Sequence, residues 1–105
     1  MADAVVKPPS ATTLRKYGMT EAEWVYLWEF QESVCPICKK VPPSGNVHID
    51  HYHAKGFKKM KPENKKKQVR GILCAFCNQR ILVKGINLAK ARNIVKYLED
   101  FENRS

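Results

Sequence analysis

The sequence predicts a small α+β domain built around a bound metal, and three observations carry that expectation. Two C-x-x-C pairs, Cys35-Pro-Ile-Cys38 and Cys74-Ala-Phe-Cys77, are separated by 35 residues. Between them lie two short strand-like runs, Val47 to His51 and Val69 to Leu73, and helical patterns flank both ends. At 105 residues the chain has room for one domain. A core this small is commonly supplemented by metals or disulfides.

Residues 1 to 12 read as a flexible lead, stiffened by Lys7-Pro8-Pro9-Ser10, and residues 13 to 105 as the domain. Thr20 with Glu23 three residues later is a capping-box signature. Trp24, Leu27, Trp28 and Gln31 follow at helical spacing, which predicts a helix from Glu21 to Glu32 with its tryptophan face inward. Cys35 to Cys38 makes a tight knuckle, and Pro42-Pro43-Ser44-Gly45 makes a turn. Val47 to His51 is the first strand, Lys55 to Gln68 a basic loop, and Val69 to Leu73 the second strand. Two short strands are marginal alone in water and need a helix to pack on. A helix from Ala75 to Lys84, ended by Gly85, is expected to supply it, with Ile81 and Leu82 toward the core. Asn87 reads as the N-cap of a last helix, Leu88 to Glu102. Its apolar positions Leu88, Ala91, Val95, Leu98 and Phe101 hold helical spacing throughout.

The net charge of +9 is concentrated, because residues 55 to 70 carry +7 of it. Such a block repels itself and is expected to stay solvated. It also attracts polyanions to whatever it borders, and nucleic acid is the leading candidate. Lys58, Lys59, Lys61, Lys65, Lys66, Lys67 and Arg70 are the expected backbone contacts. The N-terminus shows no secretory pattern, and no apolar run reaches 18 residues, so a membrane span is not expected. A cytoplasmic location keeps thiols reduced, which favours one zinc on Cys35, Cys38, Cys74 and Cys77 over two disulfides. Four thiolates close a tetrahedral site, so that zinc is structural. No βαβ pattern surrounds either pair, which argues against a thioredoxin-like redox site.

The string His48-Ile49-Asp50-His51-Tyr52-His53 and Asn78, next to Cys77, remain to be explained. A metal site of imidazole and carboxylate ligands, or a set of structural histidines, would each account for the string. Phosphodiester cleavage would use the residues together. A hard cation such as Mg²⁺ needs few protein ligands, and Asp50 and Asn78 offer a carboxylate and an amide oxygen. His51 has the ordinary affinity for protons that a general base needs near neutrality. In a regular strand Asp50 and His51 would point to opposite faces, so the strand must bend or end there.

Four segments, Cys35-x-x-Cys38, the H-x-D-H-x-H string, Arg70-Gly-Ile-Leu-Cys-Ala-Phe-Cys-Asn78 and the lead-in Leu14-Arg-Lys-Tyr-Gly-Met-Thr20, resemble the recombination endonuclease VII family. That family is a branch of the HNH (ββα-metal) nucleases, and the resemblance spans residues 14 to 78. It implies a ββα-metal core with a four-cysteine structural zinc and flanking helices, and a phage- or prophage-encoded enzyme that cleaves DNA. It implies Asp50 and Asn78 as ligands of a catalytic Mg²⁺ or Mn²⁺ and His51 as the general base. His53 would orient a phosphate or ligate the cation through water, and His48 would be a structural hydrogen-bonder. The chain departs from the family pattern at Tyr52, where an acidic residue is common. The rival expectation is a non-catalytic zinc module that binds nucleic acid through the lysines, which has no use for Asp50, His51 and Asn78 together. Whether the protein is a monomer or a homodimer is left open by the sequence.

Overall fold

The computed structural model describes residues 6–82 and 85–104. The elements run α1 (Ala11–Lys16), α2 (Glu21–Phe30), β1 (Val47–His51), a 3-10 turn (Phe57–Lys59), α3 (Pro62–Lys67), β2 (Val69–Cys74), a π-helical turn (Cys77–Ile81) and α4 (Leu88–Arg104). The architecture is α+β. Residues 6 to 12, read from sequence as part of the lead, place Val6 against the core and begin α1. Residues 1 to 5 lie outside the described residues.

β1 and β2 pair antiparallel, with Val47 opposite Cys74, His48 opposite Leu73 and Ile49 opposite Ile72. Alternation along the strands then divides the buried side chains between two faces. Ile49 and Ile72 meet Trp24 and Trp28 of α2, together with Leu14 and Met19. The two indoles stack with centroids 5.9 Å apart, so the tryptophan face of α2 is core, as its spacing requires. Leu73 joins the other cluster, with Cys35, Cys74 and Cys77.

α2 begins where the capping box sets it. The Thr20 hydroxyl accepts from the Glu23 backbone and the Glu23 carboxylate accepts from the Thr20 N–H. It ends earlier than the expected Glu32, because Glu32 and Ser33 take positive φ and turn the chain toward the first knuckle. Gln31, at its C-cap, does a strand's work. Its amide nitrogen donates to the Ile72 carbonyl at 2.8 Å, and its oxygen accepts from the Ile72 N–H at 2.7 Å. The edge of β2 is thereby closed by one side chain where another strand would otherwise add.

The basic segment is more ordered than a self-repelling loop. Pro62 opens α3 at a position that needs no N–H, and the Lys66 ammonium reaches back to Glu23 on α2. Gly18, with φ +67°, lets the α1–α2 link pass directly beneath α3: a Cβ there would lie 2.1 Å from the Pro62 carbonyl oxygen. The helix expected from Ala75 to Lys84 is also corrected. A π-helical turn occupies Cys77–Ile81, and Ile81 is exposed while Leu82 packs beside the cysteines. Lys84 lies outside the described residues. Cys74 ends β2 and Cys77 opens the turn, so the wider turn begins at the cysteine that precedes Asn78. α4 starts as expected, with the Lys90 N–H bonded to the Asn87 side chain at 2.9 Å, and runs exposed along nearly its whole length.

Two substitutions test these supports. Gly18→Ala combines a left-handed backbone with a clash against Pro62, and should cost about 2–4 kcal/mol. Gln31→Ala strips both partners from Ile72 and should cost about 1–3 kcal/mol. Urea denaturation of the metal-loaded protein measures both. Loss of less than about half a kcal/mol in either would mean that α3 or the strand edge is held by other contacts.

Candidate functional site

The four cysteines converge although each pair is local. Their Sγ atoms all lie within 4.8 Å of one another, a group that can hold a metal ion. Cys38 and Cys74 are 3.9 Å apart at sulfur, which matches the roughly 3.8 Å edge of a tetrahedron with Zn–S bonds of about 2.3 Å. It is too long for a disulfide, and all four thiols are free. The first knuckle turns on Lys39, whose φ is 62° and whose N–H bonds to the Cys35 carbonyl at 2.8 Å. In the second, the Cys77 N–H donates to the Cys74 sulfur at 3.4 Å. Burial pushes the Cys35 thiol up, but backbone N–H groups of Cys38, Cys74 and Ile37 outweigh it and bring it down to about 6. Burial and the three neighbouring thiols push Cys77 up. A divalent cation bound among the four sulfurs would favour their thiolate forms.

Beside the cysteines, a cavity of about 260 Å³ is lined by Asp50, His51, His53 and Asn78, with Tyr17 and Gln79. Four residues singled out from sequence are therefore brought together. Asp50 and His51 both reach it because the pairing slips between them: Asp50 faces Gly71 while His51 faces Val69. Arg70 is the extra residue of that bulge, which locally bends and twists the strands. The bend expected at His51 is present.

The bulge also decides what Arg70 does. Its Nε and Nη2 donate to the two Asp50 carboxylate oxygens at 2.8 and 3.0 Å, and Asp50 is only 6 % exposed. Two parallel charge-assisted bonds are what a buried carboxylate needs. Asn78 is held through its amide nitrogen, 3.4 Å from Nδ1 of His48. His48, opposite Leu73, thus serves Asn78 as a hydrogen-bonder.

His51 sits among rings. Phe57 stacks on it at 4.5 Å, His53 lies 4.6 Å away and Tyr17 5.2 Å away, centroid to centroid. Burial lowers its proton affinity from the ordinary histidine value, His53 lowers it further, and Asp50 opposes both. These surroundings favour the neutral imidazole. Of the basic residues, Lys59, Lys61 and Lys67 are exposed, Lys66 pairs with Glu23, and Lys65 lies over the Phe57 ring at 5.9 Å. Lys58 lines a second cavity with Lys65. Sequence reasoning gave no role to Tyr17, Phe57 or Lys16, and it read Arg70 as a DNA contact. The one available signal for Arg70 was the bend demanded by adjacent Asp50 and His51.

No helix of the described residues is long and apolar enough to cross a membrane. Among curated proteins the chain is similar to two phage proteins, each called "Gene 59 protein". One, from Mycobacterium phage D29, is 34% identical over 70 residues, which cover 66% of this chain and 36% of that protein. The other, from Mycobacterium phage L5, is 33% identical over 70 residues with the same coverage. The chain therefore spans about a third of the length of these relatives. No solved structure matches. The sequence model of recombination endonuclease VII matches residues 10–100, nearly every element that builds the cysteine cluster and the Asp50–Asn78 cavity, and the chain belongs to that family.

Proposed function

We propose that this chain is a metal-dependent DNA endonuclease, with one structural zinc on Cys35, Cys38, Cys74 and Cys77 and one catalytic Mg²⁺ or Mn²⁺ held by Asp50 and Asn78. It would act as a phage-encoded enzyme in the host cytoplasm. The observation that carries this reading is the convergence of Asp50, His51, His53 and Asn78 on one cavity in a member of a nuclease family. The donor set fits a hard cation. A carboxylate offers about four lone-pair sites, of which Arg70 uses two. The engaged atom of Asn78 is its nitrogen, so its oxygen is the one a cation would use. Bound there, such a cation would neutralise charge developing on the phosphate under attack.

The chain's own residues then have distinct tasks. His51, neutral because it is buried and beside His53, takes the proton from the attacking water. Tyr17 and Phe57 fix its ring between them. Arg70 orients the Asp50 carboxylate, and His48 orients the Asn78 amide. His53 borders the same cavity, where it can orient a phosphate. The exposed lysines of residues 55 to 67 hold the DNA backbone by charge.

The non-catalytic reading draws on one observation, that Arg70 already occupies both Asp50 oxygens. Plasmid DNA incubated with zinc-loaded protein, with and without Mg²⁺ or Mn²⁺, separates the two. Cleavage that needs the added cation is expected. His51→Ala should then lose about 10²-fold or more in rate while DNA binding stays, since a positioned base is typically worth 10²–10⁴. A parent protein that fails to cut with every divalent cation tried hands the assignment to the zinc module.

Elemental analysis should find about one zinc per chain. Its removal should unfold the domain, because a small module couples metal binding to folding. Protein that stays folded and metal-free would refute the zinc assignment. DNA affinity should fall with salt, log K against log salt sloping by roughly −3 to −5 if three to five phosphates are met. Replacing Lys59, Lys61 and Lys67 by Ala should flatten that slope by up to about three units. An unchanged slope would place the DNA on another face.

A further inference from the structure

A second cavity, of about 480 Å³, shares Tyr17 and His51 with the first and is otherwise lined by Lys16, Phe57, Lys58 and Lys65. Its lining mixes three lysines with aromatic rings and includes no acid. The rings are mutually arranged: Tyr17 and Phe57 lie 6.2 Å apart and tilted by 47°, both against His51. Lys65 already places a cation over Phe57, and Lys16 and Lys58 are exposed at the rim. A core packing role explains neither the lysines nor the opening. The volume falls within the range of small-ligand sites.

One ligand class satisfies both halves of this lining. A nucleotide carries a flat base, which stacks on aromatic rings, and a phosphate, which ammonium groups hold. An isolated phosphate would leave the rings unused, and an apolar ligand would leave three charges unpaired. We infer that this cavity seats one nucleotide of the DNA strand beside the Asp50–Asn78 cavity. Its base lies against Tyr17 and Phe57, and its phosphate is held by Lys16, Lys58 and Lys65. The inference rests on the endonuclease reading for the identity of the polymer, while the nucleotide site can be measured without cleavage. It gives α1 a function: Lys16 and Tyr17, at its C-terminal end, position the strand, so that His51 forms a shared wall between two adjoining nucleotide units.

The test is a titration of zinc-loaded protein, without added Mg²⁺ or Mn²⁺, with deoxyadenosine 5′-monophosphate, deoxyadenosine and inorganic phosphate, followed by NMR. The monophosphate should shift the ring resonances of Tyr17, His51 and Phe57. It should bind at least about fivefold more tightly than either of the other two, since the aromatic stack and the charges add. Lys16→Ser, an exposed change, should weaken the monophosphate by about threefold or more, and Phe57→Leu should remove its advantage over phosphate. If the Phe57 variant does not fold, Lys16→Ser and the ring shifts decide. A monophosphate that binds no better than phosphate, or that shifts residues elsewhere, overturns the site even in a protein that cuts plasmid. Ring shifts with the expected order of affinities uphold it even in a protein that does not.

Discussion

The slip in pairing between Asp50 and His51 is the constraint on which the site depends. A regular two-stranded ladder would send these neighbours to opposite faces, one toward the tryptophans and one toward the cysteines. The extra residue in β2 twists the pair there, so that both side chains open onto one cavity. The same extra residue is Arg70, whose guanidinium then meets the Asp50 carboxylate. One backbone irregularity therefore places a carboxylate, an imidazole and the counter-ion of the carboxylate. Without Arg70, Asp50 would be a nearly buried charge with no partner, which a chain of this size could hardly tolerate.

A two-stranded sheet cannot hold such an irregularity by itself. Each remaining support acts on a different side of it. On one face the Trp24–Trp28 stack packs Ile49 and Ile72. Along the edge, Gln31 occupies both polar groups of Ile72. On the other face, the cysteine cluster fixes the end of β2 and the turn after it. Because Asn78 follows Cys77 directly, the geometry of the thiols sets the position of the amide that faces His48. The cysteine cluster and the His48–Asn78 contact are thus joined through a single peptide bond, at the start of the π-helical turn.

Much of this was legible in the chain. The strand at Val47–His51, the capping box at Thr20, the Asn87 cap and the inward tryptophans all follow from local patterns, since their cause lies within a few residues of each feature. The gathering of four cysteines was legible from spacing, because a tetrahedral thiolate site has few other solutions. What was not legible depends on contacts distant in sequence. The Arg70–Asp50 pair needs the bulge, the ring cage of His51 needs α1 to arrive beside the 3-10 turn, and Gln31's partner lies 41 residues away. The π-helical turn read as ordinary helix because its residues have no composition that marks the wider form.

The basic segment shows the limit of reading charge alone. Its composition argues for a solvated loop, yet part of it folds as α3. Local repulsion is overcome by contacts that composition does not display. Pro62 starts the helix at no hydrogen-bond cost. Gly18 removes the side chain that would bar its approach. Glu23 takes up Lys66, a surface pair worth little alone, and the Phe57 ring receives Lys65. The lysines are consequently divided. Lys66 pairs with Glu23, Lys65 and the exposed Lys58 line the cavity that includes His51, and Lys59, Lys61 and Lys67 are exposed. A segment that looks uniform in sequence is therefore three kinds of charge in space.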